Sequence, residues 1–365
     1  MPGLQRMHDL IVIGGGPAGT AAAITAARGG ARVLLLERGI YPRHKVCGEF
    51  VSPESLDLLT GLLDSSRLIE GSVRVPDARM FVDGRVLETA IEPAAASIAR
   101  IDLDAALWHS AVTAGVDARQ RTAVKSMQGP GPFSVSTTEG EFESRSVINC
   151  SGRWSNLRAN DHVPEQKWIG LKGHFGEPSP PASVDVYFFE GGYCGVSPVT
   201  LNGNRQGDRV NVCAMARSDV ASTLPQVFAR NRELAQRASN WRPLTDPVST
   251  APLIFFDPQP ERDRVLMAGD AAGFVDPFVG DGISLALRSG TMAAESLLPF
   301  LRGEVTLADA VQNYRKSYRS SLLKVFESSS RIRRLLLLPS VLRKPIVTVL
   351  EKTPAVTNYL VRKTR

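Results

Sequence analysis

The first unbroken apolar run of the chain, Leu10 to Ile13 within Asp9-Leu10-Ile11-Val12-Ile13, predicts a short buried strand. Glycines follow at once in Gly14-Gly15-Gly16-Pro17-Ala18-Gly19, and the alanine-rich stretch Thr20 to Arg28 then reads as a helix. A second strand, Arg32 to Leu36, ends on Glu37. Farther along, Leu103, Ala106, Leu107 and Ala111 recur at helical spacing within Asp102 to Ala114, and Gly115 supplies a stop. Ser146 to Cys150 and Arg264 to Ala268 are again short apolar strands. Residues 76–96 and 161–261 alternate in strand fashion, which predicts an antiparallel sheet with Asn202 to Gly207 as a hairpin loop.

The order strand, glycine turn, helix, strand, acidic residue carries chemistry. Gly14 permits a tight turn, Gly16 lets backbone N–H groups approach a pyrophosphate, and Gly19 lets the helix pack closely on the strand. The helix N-terminus then faces the anion. Glu37 stands about 20 residues beyond the turn, where a carboxylate accepts hydrogen bonds from ribose hydroxyls. The unit predicts a dinucleotide, and by itself fits NAD or FAD.

Composition narrows the class. At 365 residues the chain is long enough for two interlocked domains and a substantial core. With 43% hydrophobic and 22% charged residues it is expected to fold throughout, apart from its ends. The run Leu10 to Ile13 is too short for a signal-peptide core, and no window approaches the roughly 18 apolar residues of a spanning helix, so a cytoplasmic protein is expected. Cys47, Cys150, Cys194 and Cys213 show no CxxC spacing and the histidines no ligand spacing; neither a metal nor a disulfide framework is expected. The net charge of +6 suits nucleic acid, anionic lipid or a phosphate-bearing cofactor and does not choose among them. Nucleic acid is not expected as a partner.

The strand Arg264 to Ala268 runs into Gly269-Asp270-Ala271-Ala272-Gly273-Phe274-Val275-Asp276-Pro277-Phe278-Val279-Gly280-Asp281-Gly282-Ile283. This segment resembles the GD motif of the FAD-dependent aromatic hydroxylase superfamily. The resemblance implies FAD as cofactor, with Asp270 on a ribityl hydroxyl and with Pro277, Gly280, Gly282 and Ile283 beside the flavin. A helix N-terminus there would stabilise negative charge on the reduced ring. Asp281 serves equally as a simple N-cap. Gly14, Gly16, Pro17, Ala18 and Gly19 of the turn, with Glu37 and Arg38, are accordingly expected to be cofactor-binding residues. The resemblance places Arg100 on the phosphates and the backbone of Val124 near adenine. Ser151-Gly152-Arg153 through Arg158 is similar to the hydroxylases' DGxxSxxR motif, with Ser151 where their Asp stands.

Tyr41-Pro42-Arg43-His44-Lys45-Val46-Cys47-Gly48-Glu49 resembles the KxCGE segment of the geranylgeranyl reductases, which reduce isolated double bonds of prenyl chains. Asp185 to Val199 is similar to that family's paired strands YF…GGYxWxFP and departs from them at Cys194-Gly195-Val196. Reducing an isolated alkene takes hydride from the flavin and a proton from a weak acid beside an apolar pocket. Cys47, Glu49 and Tyr193 are the candidates, Tyr193 serving equally as a packed aromatic.

The resemblance implies an α/β protein: a Rossmann-like FAD-binding domain (about 1–75, 97–160 and 262–330), an inserted antiparallel β-sheet substrate domain (76–96 and 161–261), and a C-terminal helical segment (331–365). No second GxGxxG appears, so NAD(P)H is expected only as a transient donor, and the electron donor stays unassigned. The expected activity is reduction of a carbon–carbon double bond in a small lipophilic substrate. The alternatives are an NAD(P)H- and O2-dependent hydroxylase, which Ser151 weakens, and a non-catalytic flavin module. Arg331, Arg333, Arg334, Arg343, Lys344, Lys352, Arg362, Lys363 and Arg365 with Leu335 to Leu338 and Ile346 to Leu350 form either a peripheral lipid-facing surface or an ordinary capping helix.

Overall fold

The computed structural model describes residues 7–153, 157, 167–200, 207–274, 280–327, 343–345 and 347–349. Its first unit is β1 (His8–Ile13), α1 (Pro17–Arg28) and β2 (Val33–Leu36). β1 and β2 are parallel, Leu10 pairing Val33 and Ile13 pairing Leu36, which requires the crossover that α1 supplies. The helix starts at Pro17, three residues before the expected Thr20, because proline is preset for a first turn and has no N–H to leave unsatisfied.

The next elements are β3 (Phe50–Val51), α2 (Leu56–Leu62), α3 (Arg67–Glu70) and the long hairpin β4 (Val73–Val82) and β5 (Arg85–Ser97). Helix α4 (Arg100–Thr113) follows, then β6 (Asp117–Arg119), β7 (Val124–Gln128), β8 (Phe133–Thr137) and β9 (Gly140–Asn149). The second long block is β10 (Trp168–Gly176), β11 (Ser183–Phe189), β12 (Gly192–Pro198) and β13 (Arg209–Arg217), then α5 (Leu224–Phe228), α6 (Arg232–Ala238), β14 (Arg242–Pro243) and β15 (Val248–Leu253). The chain returns through β16 (Glu261–Arg262) and β17 (Val265–Met267) to α7 (Gly282–Leu301) and α8 (Leu307–Ser321).

Two sheets result. In the first, β17, β9, β1, β2 and β6 are parallel neighbours, with β16 antiparallel at one edge and β7 and β8 joined to β9 as an antiparallel meander. α1 and α7 cover it in close contact: a Cβ on Gly290 would lie 2.1 Å from the Ala18 carbonyl oxygen, so only glycine admits this crossing. The second sheet runs β14-β10-β13-β12-β11-β4-β5-β3, with β15 also on β10. It is antiparallel except where β4 meets β11, a parallel pair that the even alternation of the sequence does not announce. It also extends past the expected 76–96, taking Val73, Ser97 and the distant Phe50–Val51.

One face of the second sheet is sealed by α5 and α6, with Phe175, Tyr187, Phe189, Val196 and Val212 packed against Leu224, Val227 and Leu234. The opposite face looks toward the first sheet. Of the C-terminal segment, 343–345 and 347–349 are helical, and Val347 is buried beside Phe188, Tyr193 and Phe274. Arg343 binds Asp83 through two hydrogen bonds of 2.7 and 2.6 Å, so this one of the basic residues is committed to an ion pair at the tip of the β4–β5 hairpin. The remaining residues of the basic stretch, apart from Lys344, and the loop 201–206 lie outside the described residues. Among the described residues no helix is long and apolar enough to cross a membrane.

Candidate active site

The glycine turn separates into packing glycines and an open one. A Cβ on Gly14 (φ +100°) would lie 2.4 Å from the Cys150 carbonyl oxygen, and one on Gly19 would lie 1.7 Å from that of Gly14. Neither position admits another residue. Gly16, at the N-cap of α1, has nothing within 4 Å of its Cβ position. That space, at the positive end of a 12-residue helix, could hold a diphosphate.

Glu37 closes the other side. Its carboxylate accepts N–H bonds from Gly15 (2.9 Å) and Gly39 (2.7 Å) and pairs with Arg43 (2.7 Å). Burial alone would raise its pKa, but those two N–H groups and the Arg43 charge outweigh burial and hold it below the usual range. Arg38 lines the same opening, as does Val124 from β7. Asp270 approaches from the far strand, its carboxylate 3.5 Å from Arg153, whose guanidinium lies over the Phe274 ring at 4.4 Å. Gly280, Gly282 and Ile283 border the space at the start of α7. Asp281 is the N-cap residue there, but its side chain makes no capping bond. Pro277 lies outside the described residues.

Apart from Gly15, Gly19, Gly39, Asp281 and Pro277, these residues line one cavity of about 1140 Å³, larger than the roughly 300–1,000 Å³ of an ordinary ligand pocket. Its other wall is the second sheet, whose alternate side chains point inward as the two-residue period requires. Leu87 pairs with Met80, Met80 with Val186, Val186 with Gly195, Gly195 with Cys213, and Cys213 with Lys172. The neighbouring row runs Phe188, Tyr193, Met215, Gly170. The wall is therefore apolar along β5, β4 and β11 and turns polar at β13 and β10.

The Cys47 loop enters at the polar end. Cys47 is half-buried and lines the cavity; its sulfur accepts the Glu49 N–H at 3.3 Å, and its carbonyl accepts from the Asn211 amide at 3.1 Å. Glu49 is fully buried and sits in the left-handed region (φ +58°). One carboxylate oxygen accepts the Arg100 backbone N–H at 2.7 Å and the Lys172 ammonium; the other lies 2.8 Å from His174 Nε2. Burial would raise this carboxyl too, but the bonds from His174 and the Lys172 charge hold it below the ordinary range. Glu49 is thus an anchored anion. Arg100 does not precede α4 but opens it, its guanidinium bidentate to Asp104 at 2.7 and 2.8 Å.

Lys172, His174, Asn211 and Cys213 were absent from the sequence-based candidates. A signal existed: Lys172 and His174 are two polar residues on the same face of the otherwise apolar Trp168–Gly176. Lys45 was noted only as part of its motif. Burial, with the Arg43 and Arg100 charges, lowers its ammonium to about 8. The residues present fit FAD: an open helix N-terminus, an anchored acid for the ribose, and an acid at the far end of a continuous cavity.

Comparison with known proteins agrees. The family model described as FAD binding domain matches residues 7–324. The geranylgeranyl diphosphate reductase of Rhodobacter capsulatus is 28% identical over 81% of this chain and 76% of that protein. The conditioned medium factor receptor 1 of Dictyostelium discoideum is 23% identical over 80% of this chain, which spans 64% of that longer protein. The solved structure of the flavin-dependent brominase Bmp2 superposes with a TM-score of 0.78 at 19% identity, covering 98% of this chain and 93% of that one; at such identity it speaks for the fold alone.

Proposed function

The chain belongs to the FAD binding domain family, and on that premise we propose that this flavin-dependent oxidoreductase reduces a carbon–carbon double bond of a lipophilic substrate, with Cys47 as proton donor. One observation carries the reading: the dinucleotide cradle, the Cys47 thiol and the apolar sheet wall all open on the same cavity.

FAD, held in this cavity and reduced, would supply the hydride for one alkene carbon. The residues of the chain do the rest. Met80, Val186, Leu87 and Phe188 hold the apolar chain and exclude water from the reacting carbons. Cys47 gives its proton to the second carbon, and the charge left on sulfur meets the Glu49 N–H. Glu49, ion-paired to Lys172 through one oxygen and hydrogen-bonded to His174 through the other, is a positioning residue: it fixes the Cys47 loop to α4, β10 and the polar end of the sheet. Cys213, its thiol pushed up to about 12 chiefly by burial, keeps its proton and packs. Tyr193, against Phe188 at a ring distance of 5.9 Å, shapes the cavity wall. NAD(P)H, if it is the reductant, binds only transiently.

The test is anaerobic. Reduced protein should be reoxidised by a prenyl alkene, giving a product two hydrogens heavier. Cys47→Ser should slow that step by about 10²-fold or more while leaving flavin reduction intact. Oxygen-dependent conversion of a phenol, with no anaerobic alkene reduction, would move the chemistry to hydroxylation.

A further inference from the structure

A carboxylate offers about four lone-pair positions, and a ribose that binds Glu37 through both hydroxyls needs two of them. Glu37 has none to spare. One oxygen accepts the Gly39 N–H and the Arg43 guanidinium, each at 2.7 Å; the other accepts the Gly15 N–H at 2.9 Å and lies 3.4 Å from the Tyr41 hydroxyl. Gly15 and Gly39 bind through the backbone, and Tyr41 is buried against Trp108. Arg43 differs. It reaches Glu37 by a flexible side chain that is 28% exposed and lines the cavity, and its buried Nε donates to no described residue. Of the partners of Glu37 it alone can withdraw without moving backbone or core.

The seat is nonetheless shaped to Arg43. Its guanidinium carbon lies 5.1 Å from the centre of the Tyr41 ring, and its tip rests where a side chain on Gly39 would be. A Cβ on Gly39 would lie 1.5 Å from Arg43 Nη1 and 2.3 Å from the guanidinium carbon, and each of the three atoms nearest that position belongs to Arg43. The φ of Gly39 is not positive, so the backbone does not demand glycine. What the glycine admits is the arginine. An arginine given this room and bonded to the acid that a dinucleotide needs keeps the charge of Glu37 paired and its acceptor positions filled.

We propose that Arg43 is a latch on the adenosine-ribose site: the ribose hydroxyls of the incoming dinucleotide take its place on Glu37, and the displaced guanidinium withdraws into the cavity it already lines. A mononucleotide flavin carries no adenosine ribose with which to open it. The latch governs entry of the cofactor and holds whatever reaction the flavin performs, so a binding assay decides it apart from the alkene assay.

The experiment is calorimetric titration of the full chain, freed of FAD, with adenosine and with 2′,3′-dideoxyadenosine, uncharged nucleosides that differ only in the two ribose hydroxyls. Wild type should bind both alike, because the latch denies the hydroxyls their acceptor. Arg43→Met should bind adenosine at least about tenfold more tightly, the worth of one hydrogen bond to a charged group, with dideoxyadenosine unchanged. Gly39→Ala should do the same with the arginine still present, since the added methyl group evicts only its flexible tip, and it carries the test should Arg43→Met fail to fold. A wild-type preference for adenosine equal to that of the variants, equal gain or loss of both nucleosides, or weaker adenosine binding by Arg43→Met would overturn the latch, the last because Arg43 would then hold the ribose itself. Gly39→Ala behaving as wild type would overturn it as well, since the seat would then not depend on the glycine.

Discussion

Glu49→Gln removes a charge and leaves the side chain its size and its left-handed backbone. In the native chain the carboxylate is the shared partner of Lys172 and His174, all three with side chains at most 1% exposed. Removing one member of a buried ion pair leaves the other uncompensated, which costs about 3–5 kcal/mol. At about 2.1 cal/mol/K per residue, a 365-residue chain loses roughly 1.3 °C of Tm per kcal/mol, so the variant should melt about 4–6 °C lower near pH 7. The pH dependence carries the sign. A carboxyl held below its ordinary 4.5 contributes stability above that value and loses it as pH falls through the folded value. Wild type and variant should therefore run parallel at neutral pH and converge below about pH 4.5. Adding Lys172→Met should recover part of the loss, since it removes the stranded ammonium. Scanning calorimetry from pH 3.5 to 8 reads all three. A variant as stable as wild type at pH 7, or a double variant worse than Glu49→Gln alone, would refute the anchored-anion reasoning.

Gly16→Ala meets open space and should leave Tm unchanged while weakening FAD binding at least about tenfold, whereas Gly19→Ala should destabilise the apoprotein itself; Tm and flavin retention separate the two, and a Gly16→Ala protein that keeps FAD refutes the cradle. Lys45, lowered to about 8 from 10.5, releases its proton earlier in the folded chain than in the unfolded one. Apoprotein stability should rise with pH between those values as FAD affinity falls, and Lys45→Met should flatten both slopes in melting and flavin titrations. Asp83→Asn removes the partner of Arg343, whose side chain is 12% exposed, and should speed hydrogen exchange over 343–349 without touching β1 or α1. It should also weaken lipophilic binding, because Val347 lines the cavity. Unchanged exchange would show that the C-terminal segment is held elsewhere.

What was legible in the chain was what neighbouring residues determine. The β1 strand, the glycine turn, α1 and Glu37 lie within thirty residues and contact one another inside that span, so spacing orders them, although α1 begins three residues before the expected Thr20. The cavity face of the second sheet was not legible. Each strand shows its alternation, but the rows that make one end apolar and the other polar arise from register between β5, β4, β11, β12, β13 and β10, in which partners such as Met80 and Val186 are more than a hundred residues apart. The start of α4 shows the same division at the scale of one hydrogen bond. The apolar stripe beginning at Leu103 puts the helix start at Asp102, yet the helix opens at Arg100 behind Ala99, whose methyl group cannot cap it. The missing acceptor is the carboxylate of Glu49, 51 residues earlier, which takes the Arg100 N–H. Glu49, a candidate proton donor by its motif, is the cap of a helix and the counterion of a strand at once. Those two attachments hold the half-buried Cys47, two residues away, at the polar end of the cavity wall, where the proposed mechanism needs its thiol.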